Sequence, residues 1–280
     1  IRDHCVTGVQ TCALPISAAA RHLTPVTLEL GGACPAIVLE HAEIGTTARR
    51  LAWGKSVNAG QTCVAPNHVL VLESRRQDLI EAMASSLRQF HGDDPLSSPD
   101  LGGIINDRHF ARLETLLRQA RERGAILHGG RCDPTRRRIE PTLIAAAGPE
   151  DPLLAEEIFG PLLPILGVAD LESALGLVRR QPPPLTVYLF GADGRSRERV
   201  QRGTRSGSLV CNDVIVQAGI TELPFGGVGE SGMGAYHGQT GFQAFSLNRS
   251  LLERPLKFDA PFRYPPYQSK LPLIRRLFAR

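Results

Sequence analysis

Two stretches of the sequence carry side chains that could do chemistry on a carbonyl compound. In residues 60–63 a glycine, a glutamine and a threonine precede Cys63, whose thiol could attack a carbonyl carbon. Glu29 lies in an apolar run just before Gly31 and Gly32, where the backbone can turn, and its carboxylate could activate water. Taken alone, Cys63 is more simply explained as a small buried residue and Glu29 as a solvated carboxylate, because free cysteine usually belongs to the core.

The elements that must position these residues alternate between strand and helix patterns. Apolar runs of strand length predict strands at 25–30, 36–39, 68–72, 125–128, 142–144, 162–168, 186–190 and 208–210. Apolar residues at helical spacing predict helices at 44–58, 77–90, 107–123, 171–180, 195–202 and 238–245. Asp107 is predicted to cap the helix that begins there. This alternation predicts an α/β fold with a mostly parallel sheet.

Size and composition favour an ordinary globular protein over a nucleic-acid-binding or membrane-spanning one. The chain has 280 residues, 42% of them hydrophobic, and a formal net charge of +4, so it can bury a sizeable core in one or two domains. The basic residues are too dispersed to predict a nucleic-acid interface, and no apolar run is long enough to span a bilayer. The six cysteines show no metal-ligand spacing, so we predict no metal and a reducing, cytoplasmic compartment.

Residues 1–17 are left out of the fold prediction. Residues 6–16 resemble the translation of a sequencing adapter, and they lack both an amphipathic period and the features of a signal peptide. Cys5 and Cys12 lie in this segment and are assigned no function. The natural sequence before residue 18 is therefore expected to be missing from this chain.

Four motifs, taken in order, resemble those of the aldehyde dehydrogenase superfamily. Four motifs in order are far more specific than any one of them, and the resemblance runs from about residue 18 to the end of the chain. A finer pattern resembles the class 3 branch, which includes fatty-aldehyde and coniferyl-aldehyde enzymes. The superfamily motifs lie at residues 26–32, 60–63, 156–161 and 224–229, and the class 3 pattern at 104–110 and 232–238.

The resemblance implies roles for particular residues. Cys63 would be the nucleophile, and Glu29 the base that activates water to release the acid. Glu157 would hydrogen-bond the nicotinamide ribose hydroxyls, and Phe159 would pack against the same part of a cofactor that is NAD or NADP. A thiolate must form near neutral pH, which requires local positive potential or a paired base. The family's oxyanion asparagine would lie before residue 18, so the chain as written is expected to be inactive.

Several residues keep a second interpretation. Glu157 could instead be a carboxylate at a helix start. Asn212 could be the asparagine that the family often has near its site, or a cap at a strand end. Asn58 is expected to support the loop backbone, and His237 to be a packing histidine. The glycine-rich stretch 224–234 is interpreted as a tight structural loop rather than a phosphate cradle.

The resemblance also implies a domain organisation and two local departures. The expected fold is an α/β aldehyde dehydrogenase-like catalytic domain with a mostly parallel sheet, remnants of a Rossmann-like cofactor domain and a C-terminal oligomerisation segment. Ala33 and Ser56 stand where the family commonly has a lysine and an aromatic or apolar residue, and neither change removes a reacting group. The expected domains are 1–17, adapter-like; 18–30, the end of the cofactor-binding domain; 31–225, catalytic; and 226–280, the returning and oligomerisation segment.

The predicted function is NAD(P)-dependent oxidation of an aldehyde to a carboxylic acid through a cysteine thiohemiacetal and thioester. A non-catalytic remnant that acts as a dimerising or binding module is the alternative. A third possibility passes the thioester to a thiol, although Glu29 favours hydrolysis. The expected partners are a small aldehyde and a second copy of the parent in a homodimer, with no nucleic acid. The segment 271–278, with Arg275 and Arg276, is expected to dock or to be disordered rather than to bind a membrane.

Overall fold

A computed structural model describes residues 9–257 and 259–278 of the chain. One compact unit ends at Phe245 and a second begins at Ser246. The α-helices are α1 (Val9–Ala20), α2 (Ile44–Ser56), α3 (Glu73–His91), α4 (Asp107–Glu122), α5 (Pro152–Ala155), α6 (Leu171–Arg180), α7 (Gly194–Gly203), α8 (Gly238–Ala244) and α9 (Leu271–Phe278). The strands are β1 (Leu28–Glu29), β2 (Pro35–Val38), β3 (His68–Leu72), β4 (Ile126–His128), β5 (Cys132–Asp133), β6 (Arg138–Ile139), β7 (Thr142–Ala145), β8 (Leu162–Val168), β9 (Thr186–Phe190), β10 (Ser208–Cys211) and β11 (Gly232–Met233).

The main sheet has seven strands in the order β10-β9-β2-β3-β8-β7-β4. Every neighbouring pair in it is parallel except β4 with β7, which is antiparallel. The two smaller sheets pair β1 with β11 and β5 with β6. The α/β fold with a mostly parallel sheet is therefore confirmed.

The neighbouring interior strands β2 and β9 bury both of their faces. Alternate residues along a strand point to opposite sides of the sheet, and the core divides accordingly. Val38 and Tyr188 belong to the cluster that α2 and α3 cover, whereas Ile37 and Leu189 belong to the cluster that α6 covers. Burial on both faces is typical of parallel sheets, and each large aliphatic side chain buried in this way contributes about 1.5–3 kcal/mol. These interior strands thus form a rigid base for the loops at their ends.

Several predicted elements have the observed bounds, and two differ in an instructive way. β3, β8, β9 and α6 begin and end where the sequence predicted. The strand predicted at 25–30 is reduced to the two residues of β1, because Gly31 (φ +88°) turns the chain away directly afterwards. α3 begins at Glu73, earlier than predicted, because it follows β3 without a loop. α1 overlaps the segment that was left out of the prediction.

The N-cap of α4 is Asn106, so the prediction of Asp107 was wrong by one residue. Asn106 has extended backbone angles (φ −155°, ψ 171°), and its Oδ1 accepts a hydrogen bond from the His109 N–H at 3.0 Å. An N-cap has non-helical angles while the next residue is already helical, and Asp107 is that next residue. The Asp107 carboxylate instead pairs with Arg137 at 3.2 Å on the exposed surface.

Replacement of Asn106 by alanine is expected to lower the free energy of unfolding of the 280-residue chain by about 1 kcal/mol, because a helix N–H loses its partner. The matched control is Asp107→Ala, which breaks only an exposed ion pair and should cost less than about 0.5 kcal/mol. Urea titration followed by circular dichroism measures both. A larger loss for the Asp107 variant would contradict the assignment of the cap.

The C-terminal unit is small and contains α9. Within this unit the Tyr264 hydroxyl donates to Asp259 at 2.6 Å, and Lys270 Nζ donates to the Pro261 carbonyl at 3.0 Å. The last turn of α9 carries Arg275 and Arg276. Among the residues that the structure describes, no helix combines the length and the apolar character needed to cross a bilayer. The expectation that this tail docks or is disordered stays a prediction.

Candidate active site

A strained turn presents Cys63 after the end of α2. Asn58 and Ala59 have left-handed backbone angles (φ 49° and 53°), and Gly60 follows with φ +71°. A Cβ on Gly60 would lie 2.4 Å from the Gly160 carbonyl oxygen, so only glycine fits there. Asn58 Nδ2 donates to the Gln61 carbonyl at 2.9 Å, and Gln61 Nε2 donates to the Asn58 carbonyl at 3.0 Å. Asn58 therefore supports the loop backbone, as the sequence predicted.

The structure brings Cys63 into contact with Glu29. Glu29 lies in β1 opposite Gly232 of β11, and its carboxylate accepts a hydrogen bond from the Cys63 thiol. The other feature of this carboxylate is that Oε1 is buried and has no hydrogen-bond partner within the described part of the chain. A buried carboxylate oxygen without a partner is costly, so this atom is available to a substrate, a water or a reacting proton.

The pKa of the Cys63 thiol is raised to about 12. Burial is the largest cause, followed by the negative charge of Glu29 and the hydrogen bond with it. Glu157 acts in the same direction, whereas the N–H of Cys63 itself lowers the pKa. Positive potential and a paired base are the two ways to obtain a thiolate near neutral pH, and the surroundings of Cys63 do not supply the first. At rest the proton stays on sulfur.

Glu157 is the second carboxylate of this cluster. Burial raises its pKa to about 8, against the opposing effects of the Gly32 N–H, which donates to it, and of Lys55. Its Oε2 is buried without a hydrogen-bond partner among the described residues. A Cβ on Gly31 would lie 2.7 Å from that oxygen, so the absence of a side chain at Gly31 makes room for the carboxylate.

The segment that carries Glu157 is tied to the loop that carries Cys63. The Asn67 side chain accepts from the Ile158 N–H at 2.8 Å and donates to the Glu156 carbonyl at 3.1 Å. Phe159 follows in a left-handed conformation (φ 46°) and is half-buried. Of the four residues singled out from the sequence, Cys63, Glu29 and Glu157 interact electrostatically. The fourth, Phe159, lies two residues after Glu157 in the chain.

A cavity of about 320 Å³ lies against Glu157. Arg112, Thr115 and Gln119 of α4 line one side of it, with Glu156 and Ile158 on the other. Arg112 donates to the Ile158 carbonyl, and its Nε is buried without a partner among the described residues. A cavity that contains a cation and unpaired buried polar atoms can hold a polar small molecule.

Sequence reasoning missed Lys55. The whole residue is 3% exposed, and Nζ donates to the Pro66 carbonyl at 3.0 Å. Burial lowers its pKa to about 7, and the charge of Glu157 opposes that shift. A lysine at helical spacing with buried apolar neighbours was the available signal, because lysine is almost never fully buried without a functional or electrostatic partner.

The remaining candidates have structural roles. The Asn212 side chain accepts a hydrogen bond from the Gly191 N–H at 3.2 Å. This contact favours the interpretation of Asn212 as a cap at a strand end over that of a site asparagine. The His237 ring stacks on Phe225 with centroids 5.7 Å apart, as a packing histidine would. No group of three or more potential metal ligands occurs within residues 9–257 and 259–278.

Comparisons with known proteins show which family this chain is similar to. The profile of the "Aldehyde dehydrogenase family" matches residues 5–251. The dimeric NADP-preferring aldehyde dehydrogenase of Mus musculus is 43% identical over 259 residues, which is 92% of this chain and 56% of that protein. The aldehyde dehydrogenase family 3 member H1 of Arabidopsis thaliana is 42% identical over 264 residues, 94% of this chain and 54% of that protein.

A solved structure shows the same fold. The substrate-bound state of AldH from Staphylococcus aureus superposes with a TM-score of 0.87 at 40% sequence identity, and the match covers 96% of this chain and 58% of that one. The family 3 relative agrees with the class 3 pattern noted in the sequence. The chain spans about half the length of the curated relatives that it matches.

Proposed function

Because the chain belongs to the aldehyde dehydrogenase family, we propose that the protein containing it oxidises an aldehyde to a carboxylic acid with NAD or NADP. The observation that supports this most directly is the contact of the Cys63 thiol with the Glu29 carboxylate, beside the buried Glu157. The activity is proposed for a protein of the relatives' length, since this chain spans about half of it. One relative is named dimeric and NADP-preferring, and we propose a homodimer here as well.

In the proposed mechanism Cys63 and Glu29 act in sequence. Sγ of Cys63 forms a bond to the aldehyde carbon while the thiol proton passes to Glu29 and the carbonyl π electrons move to oxygen. The N–H of Cys63, which already interacts with its own sulfur, is a donor for that oxyanion. A bound nicotinamide cofactor supplies the acceptor for the hydride that leaves the same carbon, so that a thioester to Cys63 results.

Release of the acid requires water and a base. Glu29, once it has lost the thiol proton to solvent, takes a proton from water as the water oxygen attacks the thioester carbon. The bond from carbon to Sγ then breaks, and the sulfur of Cys63 leaves as a thiolate. The unpaired Oε1 of Glu29 provides a free acceptor site for that water.

Glu157 and Phe159 are proposed to hold the cofactor. The buried, unpaired Oε2 of Glu157 is an acceptor for a ribose hydroxyl, and the missing side chain at Gly31 leaves space beside it. The adjoining cavity with Arg112 has the size and polarity expected for part of a nucleotide. Phe159 would contribute an apolar ring to the same place.

The proposal is tested with the protein of full relative length, supplied with NAD or NADP and with aliphatic and aromatic aldehydes. We expect a carboxylic acid in equal amount to the reduced cofactor. When the reaction is quenched with acid, mass spectrometry of the peptides should show an acyl group on Cys63. Transfer of the acyl group to an added thiol in preference to water would support the acyl-transfer alternative. A folded protein that forms no acid with any aldehyde would support a binding module instead.

A further inference from the structure

The loop that carries Cys63 is held by buried side chains that the proposed reaction does not consume. Buried main-chain carbonyl groups need hydrogen-bond partners, and three of them in this loop find theirs in side chains rather than in the backbone. The pairs are the Cys63 carbonyl with the Cys34 thiol, the Val64 carbonyl with the Tyr188 hydroxyl, and the Pro66 carbonyl with Lys55 Nζ.

Tyr188 makes the most extensive of these attachments. It lies in the interior strand β9 and is fully buried. Its hydroxyl donates to Val64 and accepts from the Ile215 N–H at 3.1 Å and from Gln217 Nε2 at 3.2 Å. One donor and two acceptor sites are all that a tyrosine hydroxyl has, so its hydrogen-bonding capacity is fully used.

The same network extends across the sheet and to a strained residue. Gln217 Nε2 also donates to Thr186 Oγ1 at 3.2 Å, and Thr186 shares a hydrogen bond of 2.8 Å with Ser208 of β10. Ile215, whose N–H the tyrosine oxygen accepts, has φ +65°, which is unfavourable for a β-branched residue. One hydroxyl thus joins the loop after Cys63 to the segment that follows β10.

These attachments restrict the backbone that carries the Cys63 side chain. A peptide group is planar, so fixing a carbonyl oxygen also fixes the N–H of the next residue. Cys34 holds the peptide group between Cys63 and Val64, and Tyr188 holds the next one. Together they limit the movement of the backbone on the C-terminal side of the thiol, and a displacement of about 1 Å at such a site can cost about 100-fold in rate.

We propose that Tyr188 is a positioning residue for the nucleophile Cys63, which it orients through the Val64 carbonyl without touching substrate or cofactor. The inference rests on the proposed role of Cys63. It predicts that loss of the hydroxyl lowers the rate of the covalent step and leaves cofactor binding unchanged, because the segment around Glu157 is held to the loop by the Asn67 side chain and not by Tyr188.

The test is Tyr188→Phe in the protein of full relative length. We expect kcat to fall by about tenfold or more, with the KM for the cofactor within about twofold of the unmodified protein. The matched control is Tyr267→Phe, which also removes a hydroxyl that donates to a main-chain carbonyl, that of Arg263 at 3.2 Å, in the C-terminal unit. This control should leave kcat and KM as they were. A folded Tyr188→Phe protein with unchanged kcat, or with kcat and cofactor KM altered equally, would overturn the inference.

A second readout uses the 280-residue chain itself. Iodoacetamide labels Cys63 and the exposed Cys211 in the same sample, and mass spectrometry gives the ratio of the two rates. A freed loop should expose the Cys63 thiol, so Tyr188→Phe should raise the ratio by about threefold or more, whereas Tyr267→Phe should not. An unchanged ratio would count against the inference.

If Tyr188→Phe does not fold, Gln217→Leu decides, because it removes one of the two donors to the tyrosine oxygen. A fall in kcat of about threefold with unchanged cofactor KM supports positioning, and an unchanged kcat refutes it. Failure of the proposed function would give a different result, because turnover would then survive Cys63→Ala. Full activity of Tyr188→Phe beside an inactive Cys63→Ala would reject only the positioning role.

Discussion

Replacement of Cys63 by alanine is expected to abolish aldehyde oxidation while the protein still binds its cofactor. The covalent bond to the aldehyde carbon can form only at this sulfur, and removal of an enzyme's nucleophile commonly costs about a million-fold in kcat. The residues proposed to hold the cofactor, Glu157 and Phe159, lie on a different segment. Steady-state formation of reduced cofactor measures the first effect, and a fluorescence titration with NAD and NADP measures the second.

The matched control is Cys211→Ala, since Cys211 is an exposed thiol at the end of β10. It should retain full turnover. Turnover by the Cys63 variant above about one thousandth of the unmodified rate would contradict the assignment, because the residual rate left without a nucleophile is expected to be far smaller. Loss of cofactor binding together with turnover would indicate that the change had disturbed the fold rather than the chemistry.

Much of the sheet could be predicted from local sequence, and the reason is physical. β3, β8 and β9 are buried along their whole or nearly whole length, so each is a continuous apolar run with polar or turn-forming residues at both ends. β1 could not be predicted in this way. It consists of two half-buried residues, and its extent depends on pairing with β11, which no local pattern reveals.

The candidate site shows the same division between local and long-range information. Cys63, Glu29 and Glu157 could be identified because their neighbours follow motifs of a known family. Their mutual electrostatic effects could not, because these depend on how much of each group is buried. The sequence required either positive potential or a paired base for the thiol. Both carboxylates raise the pKa of the thiol, so its surroundings do not supply positive potential, and we propose Glu29 as the base.

The residues that support the site from within the core were assigned no role in it. These residues are Lys55 in α2, Cys34 just before β2, and Tyr188 in β9. The polar atom of each of these side chains donates a hydrogen bond to a main-chain carbonyl of the Cys63 loop. Cys34 and Tyr188 are far in the sequence from the residues that they contact. No local sequence pattern therefore indicates these two contacts.

Replacement of Glu29 by glutamine is expected to separate the two halves of the proposed reaction. Release of the acid should slow by about 100-fold or more, because water loses its base. Formation of the thioester should slow less. The substitution removes the acceptor for the thiol proton, but it also removes a negative charge that raises the pKa of the Cys63 thiol, so solvent can take that proton more readily. A burst of reduced cofactor, equal in amount to the enzyme, should therefore precede a slow steady rate in stopped-flow measurements.

The sign of the charge effect can be tested independently on the 280-residue chain. Because Glu29 raises the pKa of Cys63, Glu29→Gln should move the pH profile of iodoacetamide labelling at Cys63 to lower pH. The matched control is Glu230→Gln, which removes an exposed carboxylate near β11 and should change neither the profile nor the burst.

A burst that disappears, with no acyl group trapped on Cys63, would show that Glu29 is not the base for acid release. A labelling profile that moves to higher pH would contradict the contact between thiol and carboxylate. A lower profile with a preserved burst is the result expected of a carboxylate that raises the pKa of the resting thiol and also acts as the base for water.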